Sequence, residues 1–230
     1  MSVLIGLVGQ SGSGKTYSLR NIPQDKVVIA DIERKGMPFA VTKPGCVVPI
    51  KSHEEFRRLL VDIDSRPVKP EVLVVDSFTH LANFMETHAS MLNPSRERDG
   101  SFALWRQYNE FIQLNIESFK LKPYDVVLIG IDEVLSTTGT DGSLSVAQRR
   151  MRVSGKKWEG AIESHCLIVL GTKVLLGQQG QRPQHKLQTY NDGVITCKCP
   201  PWVTEEPLVD NDLWPIIQKL RAGPAQGGAK

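Results

Sequence analysis

The stretch GLVGQSGSGKTYSL (residues 6–19) follows directly on an apolar run, SVLIGLV (2–8), and leads into a short segment that reads as a helix from Thr16 to Asn21, stopped by Pro23. Glycine is costly in ordered structure, so three glycines at positions 9, 12 and 14 need a reason. Gly9, Gly14, Lys15 and Thr16 fit the pattern G-x-x-x-x-G-K-[ST], and they do so between a strand and a helix, the context that pattern requires. The backbone N–H groups of Gly9, Gln10, Ser11, Gly12, Ser13 and Gly14 are then expected to wrap an anion, with the helix N-terminus adding its positive dipole. Lys15 is expected to reach the β- and γ-phosphates of ATP, and the Thr16 hydroxyl to hold Mg2+.

A phosphate loop of this kind also needs an acidic residue at the metal. Two follow apolar strands: Asp76 in VLVVDS and Asp132 in VLIGIDE. Asp76 lies 61 residues after Lys15, which leaves room for one intervening helix–strand–helix excursion; Asp132 lies 117 residues after it. Asp76 is therefore the expected metal-site residue, with Thr16. The position after Asp76 is Ser77, so a water-activating carboxylate must come from elsewhere. Glu33 ends the run VVIADIE, and in a parallel sheet it emerges at the same carboxyl edge as the loop, where ligands collect.

The surrounding pattern alternates strands and helices. KVVIADIE (26–33), EVLVVDS (71–77) and DVVLIGIDEV (125–134) read as apolar strands; SHEEFRRLLVDI (52–63) and FALWRQYNEFIQLNIESFK (102–120) read as amphipathic helices. That alternation argues for an α/β fold with a mostly parallel sheet covered on both faces. After the fourth strand the pattern changes: residues 136–157 are polar and then basic. CLIVLGTKVLLG (166–177), HKLQTY (185–190) and GVITCKC (193–199) read as strands joined by turns, an antiparallel extension of the same sheet. NDLWPIIQKL (211–220) is a final helix interrupted near Pro215, and RAGPAQGGAK is a disordered tail by composition. One domain over 1–222 with a tail over 223–230 is the expected organisation.

Composition excludes little but excludes it clearly. A hydrophobic fraction of 40% and a charged fraction of 23% are ordinary for a globular protein, and a net charge of +3 selects no partner. No apolar run approaches the roughly 20 residues of a membrane span, and MSVLIGLVG lacks a basic leader, so a cytoplasmic location is expected. The four cysteines are then reduced thiols; Cys197 and Cys199 share a face if their segment is a strand, but lack partners at metal-site spacing.

The glycine loop, DIE ending the second strand and VVDS ending the third together resemble the ATPase core of RecA. Without flanking domains, the chain looks most like the short RecA-like ATPases of bacteriophages, the Sak-type single-strand annealing proteins. LWRQY (104–108) and the segments TCKCPP and NDLW near the end are similar to that group. The resemblance implies a RecA-like P-loop NTPase fold, Glu33 as catalytic base beside Lys15, and Asp76 at Mg2+. It also implies DNA-stimulated ATP hydrolysis in DNA recombination, assembly with copies of itself into a ring or filament, and a single-strand-binding protein as a further partner. The chain departs from that pattern where a neutral polar sensor is expected after the fourth strand, because Asp132 and Glu133 stand there and would repel a γ-phosphate unless a cation intervenes. Lys198 matches the lysine of a K-x-R element that reaches into a neighbour's nucleotide, but Pro200 stands in the arginine's place.

The segment STTGTDGSLSVAQRRMRVSGKKWEG (136–160) is expected to be the loop that holds single-stranded DNA. Arg149, Arg150, Arg152, Lys156 and Lys157 occur in it with no acid between Asp141 and Glu159, and Trp158 is placed to stack a base. NPSRERDGS (93–101) is a second candidate loop of mixed charge. Three classes of function remain open on the residues alone: a DNA-binding recombination ATPase, a small-molecule or nucleotide kinase, and a nucleotide-gated structural or packaging component.

Overall fold

The computed structural model describes residues 2–94, 98–138, 144–158, 160–177 and 181–224. Three continuous apolar runs form strands buried at every position: β1 (Leu4–Gly9), β2 (Val27–Asp31) and β4 (Val72–Asp76). Such runs suit strands covered on both faces. With β3 (Val47–Pro49), β5 (Asp125–Thr138) and β7 (Ile168–Leu175) they make a parallel array in the order β3-β2-β4-β5-β1-β7. The glycine-loop strand β1 is thus separated from the Asp76 strand β4 by β5. Beyond β7 the sheet continues antiparallel through β8 (Gln184–Gln188) and β9 (Leu208–Asp210). This is the RecA-like P-loop arrangement expected, with its antiparallel extension on the C-terminal side.

One face is covered by α1 (His53–Ser65), α2 (Phe78–Leu92) and α3 (Arg98–Lys120). Phe56, Leu60 and Ile63 of α1, Phe78 and Met85 of α2, and Tyr108, Ile112 and Phe119 of α3 pack on Leu73, Val75, Val126 and Leu128. Both α1 and α2 start on a serine that accepts a backbone N–H, Ser52 from Glu55 at 3.2 Å and Ser77 from His80 at 3.4 Å. The opposite face is closed by the turn after the glycine loop and by α4 (Trp214–Ala222), through Leu19, Leu213, Ile217 and Leu220. Each fully buried side chain of this kind is worth roughly 1.5–3 kcal/mol relative to exposure.

Several expectations are corrected. The helix read at Thr16 to Asn21 is a single 3-10 turn, Thr16–Leu19, because Ser18 O accepts from Leu213 N (2.9 Å) instead of from a next helical turn. GVITCKC is not a strand: Asp192 Oδ1 accepts from Val194 N and Ile195 N, curling the chain, and only isolated pairings remain, Ile195 with Arg149 and Lys198 with Val169. Pro215 does not interrupt the last helix but sits in its first turn, where a missing N–H costs nothing. The helix α2 and the short strands β3 and β9 go beyond the elements expected from the sequence. Most consequentially, the expected DNA loop is a hairpin: β5 runs on to Thr138 and returns as β6 (Leu144–Met151). Residues 139–143 of the expected DNA loop, 95–97 of the second candidate loop and 225–230 of the tail lie outside the described residues.

Candidate nucleotide site

The glycine loop is built against the antiparallel extension. A Cβ on Gly9 would collide with Thr172 Oγ1 of β7, and one on Gly14 would stand 2.6 Å from Asn211 Nδ2. Gly14 also has φ +94°, which no L side chain adopts cheaply. The Thr172 hydroxyl donates to Ser13 Oγ (2.6 Å) and the Ser13 hydroxyl to Gln10 O (2.6 Å). Asn211 Nδ2 donates to Gly14 O (3.0 Å), and His185 Nδ1 of β8 lies 3.0 Å from Ser13 O. None of Thr172, His185 and Asn211 carries a sequence signal, because each acts through a backbone or hydroxyl contact across more than 150 residues.

In front of the loop is a cavity of about 630 Å3, lined by Ser11, Gly12, Lys15 and Thr16 together with Glu33 and Asp76. The structure therefore gathers the loop, Glu33 and Asp76 at one carboxyl edge, as their strand ends demand. Lys15 Nζ donates to Gly9 O and Gln10 O, both at 2.7 Å, contacts that phosphate oxygens can replace. Burial lowers the Lys15 ammonium from its ordinary range even though Asp76, Asp132 and Glu33 all pull it upward. An anion in the loop restores what burial removes.

Thr16 Oγ1 donates to Asp76 Oδ2 at 2.7 Å. Burial first, then the charges of Glu33 and Asp31, push Asp76 up to about 6 despite that hydrogen bond and Lys15. A hydroxyl beside a buried carboxylate that is short of cation is a hard-oxygen donor pair, and it fits Mg2+. The peptide after Asp76 is cis, and Ser77 then begins α2.

Glu33 is held from three sides. Lys35 Nζ pairs with its Oε2, His80 Nδ1 of α2 lies 3.2 Å from its Oε1, and the same Nδ1 is 2.7 Å from Ser77 Oγ. Burial would raise this carboxyl, but Lys35, His80 and Ser77 outweigh it and hold Glu33 below its usual range, hence ionised at neutral pH. Asp31 shapes the turn that presents it, accepting from Arg34 N (2.8 Å) and Gly36 N (3.2 Å). Sequence reasoning alone misses Lys35, His80 and Asp31; of the three, only Asp31 stands within a recognisable motif, DIE. Tyr17, Met37 and Pro38 form the apolar side of the cavity.

The five expected DNA-binding cations are not brought together. Arg149 Nη2 pairs with Asp132 Oδ2 (2.5 Å), and Arg150 Nε pairs with Glu133 Oε1 (2.7 Å). Glu133 lies directly opposite Arg150 in the β5–β6 ladder, while Asp132 is opposite Met151, diagonal to Arg149, so the two pairs occupy opposite faces of the hairpin. Arg152, Lys156 and Lys157 are exposed on the return from β6. Trp158 is buried, 3% exposed, and donates from Nε1 to Asn109 (2.8 Å), so it is a core residue and not a base-stacking one. The exposed ring nearby is Trp105 of α3, which packs over Gly155 and edge-on to Tyr108. Lys198 pairs through its backbone with Val169, which is in register with Gly6, and its Nζ donates to Ser164 O (3.4 Å); it stands away from its own glycine loop. Among the described residues no helix is long and apolar enough to cross a membrane.

The sequence pattern of an AAA domain family matches residues 2–176. No curated protein matches the chain. Among solved structures, a KaiC-like protein from the hyperthermophilic archaeon Pyrococcus horikoshii OT3 is similar at 13% identity, over 81% of this chain and 77% of that one, with a TM-score of 0.43.

Proposed function

The chain belongs to the AAA domain family and is a P-loop ATPase, and on that premise we propose that it is a Mg2+-dependent, DNA-stimulated ATPase that binds single-stranded DNA, works in recombination or strand annealing, and assembles with copies of itself. The observation that carries the nucleotide half is the convergence of Lys15, Thr16, Asp76 and Glu33 on one cavity. The loop N–H groups and Lys15 bind and orient the triphosphate. Thr16 and Asp76 would hold Mg2+, which would supply neutralisation of the phosphate charge. Glu33, ionised and fixed by Lys35 and His80, accepts the proton of a water as its oxygen attacks the γ-phosphorus; the bond to the β-γ bridging oxygen breaks, and ADP leaves with phosphate.

The DNA half is supported by three exposed cations, Arg152, Lys156 and Lys157, in a short segment that packs beside the 38% exposed ring of Trp105. Basic groups tracking a backbone next to an aromatic platform suit a single strand. The self-association half comes from the resemblance alone, in which Lys198 would reach a nucleotide held by a neighbouring copy. The test is ATP turnover with and without single-stranded oligonucleotide. Stimulation by single strands, and oligonucleotide affinity that rises with a non-hydrolysable ATP analogue, is the expected result. Turnover indifferent to DNA, with no binding, would return the chain to the kinase or structural reading.

A further inference from the structure

The glycine loop presents its N–H groups to phosphate only if its carbonyls turn away. The peptide groups Ser13–Gly14 and Gly14–Lys15 are trans. In a trans peptide the C=O and the N–H point to opposite sides, so whatever holds Ser13 O aims Gly14 N, and whatever holds Gly14 O aims Lys15 N. Among the described residues neither Gly14 N nor Lys15 N donates to the protein. Both carbonyls are held from the antiparallel extension. His185 Nδ1 of β8 lies 3.0 Å from Ser13 O; a carbonyl can only accept, so Nδ1 carries a proton. Asn211, the residue after β9, donates from Nδ2 to Gly14 O at 3.0 Å, beside the backbone bond from Ser18 N at 3.1 Å. The two side chains close on one spot: a Cβ on Gly14 would stand 2.6 Å from Asn211 Nδ2 and 3.1 Å from His185 Nδ1.

We propose that His185 and Asn211 are positioning residues for the nucleotide: by gripping two successive carbonyls they fix the peptide groups whose N–H donors cradle the α- and β-phosphates, and so set affinity without entering the chemistry at the γ-phosphate. The inference rests on the P-loop reading and deepens it. The grip is rigid. β8 and β9 pair in register at Lys186 and Asp210, whose side chains also form an ion pair (2.6 Å), and the next step of that register sets His185 opposite Asn211. The segment after β9 is stitched to the turn that follows the loop: Arg20 Nη1 donates to Asn211 O (2.5 Å), Asn21 Nδ2 to Asp212 Oδ2 (2.6 Å) and Leu213 N to Ser18 O (2.9 Å). Asn211 is 6% exposed, and its Oδ1 is buried with no hydrogen-bond partner. The amide thus keeps its donor on the loop while its acceptor goes unsatisfied, an arrangement that packing alone disfavours. His185 is half-buried and lines the nucleotide cavity, yet its bond goes to the loop backbone.

The test is binding of fluorescent ATP and ADP analogues with Mg2+ to the full chain, together with steady-state ATP turnover. His185→Ala is expected to raise Kd for ATP and ADP alike, and KM for ATP, by about 3- to 10-fold, the range of one hydrogen bond, with kcat changed by less than about twofold. Asparagine carries an N–H donor where histidine has Nδ1, so His185→Asn is expected to recover most of the loss. His185→Gln, whose donor sits where Nε2 does, is expected not to. Asn211→Ala should show the same uniform loss; should it not fold, the variants at half-buried His185 carry the test. A fall in kcat with KM unchanged, a loss confined to ATP, or unchanged affinity in His185→Ala overturns the proposal. So does a His185→Asn variant as weak as His185→Ala, which would make the ring a packing group only. Lys15→Ala separates this from the parent reading: it should cost both nucleotides, and if it costs neither, the P-loop assignment itself has failed.

Discussion

Glu33 and Asp76 are two carboxylates a strand apart, joined through Ile32 N and Asp76 O at 2.7 Å, and their surroundings push them in opposite directions. Lys35 and His80 keep Glu33 ionised; burial favours the neutral form of Asp76. Glu33→Gln should therefore retain ATP and Mg2+ binding while slowing hydrolysis by about a hundredfold or more, the usual worth of a positioned base. Normal turnover in that variant would reassign the base, with Glu133 next to be tried. For Asp76 the sign follows from its raised value. Its folded-state proton is lost only above about pH 6, so Mg2+ must displace a proton below that pH. The Mg2+ concentration for half-maximal turnover should rise by up to about tenfold for each pH unit below that point. Asp76→Asn should raise it at all pH values and remove the dependence. Lys15, Thr16, Asp76 and Glu33 are legible in the sequence because phosphate chemistry constrains residue type at fixed spacing. Lys35 and His80 are not, since a lysine two residues on and a histidine in the first turn of α2 become partners of Glu33 only once the turn at Asp31 and the strand order exist.

At the scale of elements, the junction of α1, α2 and α3 holds a histidine that nothing in the proposed chemistry uses. His53 begins α1, is 2% exposed, and has a buried Nδ1 without a hydrogen-bond partner. His88 of α2 stacks edge-on at 5.5 Å and pairs with Glu54, while Phe111 of α3 packs at 4.9 Å. Burial, then the neighbouring His88 and Arg57, lower His53 to about 4, with Glu54 opposing. The unfolded chain binds this proton near pH 6.5, so the neutral imidazole contributes stability that is present above that pH and fades as pH falls toward 4. Linkage puts the decline at up to about 3 kcal/mol. Urea unfolding at pH 7 and pH 5 should show a drop that is smaller in His53→Gln; an equal drop in both would remove His53 as the cause. The strands of the parallel core are readable because both-face burial leaves continuous apolar runs. The helix α2 carries Phe78, Leu81, Ala82, Met85 and Ala89 at helical spacing, but its N-cap, Ser77, belongs to a site motif, which draws the reading of that stretch to the site instead of to a helix. The hairpin is hidden for a related reason: small polar residues signal a loop, but cross-strand pairs of Asp132 with Arg149 and of Glu133 with Arg150 turn that segment into a ladder.

Across the whole molecule, the basic segment that reads as one patch is divided by topology into two parts. Arg149 and Arg150 are engaged by acids of β5, inside the fold. Arg152, Lys156 and Lys157 face outward beside Trp105. If single-stranded DNA is held at the outward set, neutralising Arg152, Lys156 and Lys157 together should weaken oligonucleotide binding and flatten its salt dependence. Every cation–phosphate pair that is removed takes about 0.7 from the slope of log affinity against log salt, so neutralising all three lowers it by about 2. Basal ATP turnover should be unchanged, because none of the three lines the nucleotide cavity. Neutralising Arg149 should instead leave the slope near its original value, since a cation already paired with Asp132 releases little salt on meeting DNA. Trp105→Ala should weaken binding with no change in slope, as stacking involves no counterion. The decisive measurement is oligonucleotide affinity across a salt series for these variants side by side. A slope that falls with Arg149 and not with the outward three would place the strand along the hairpin instead.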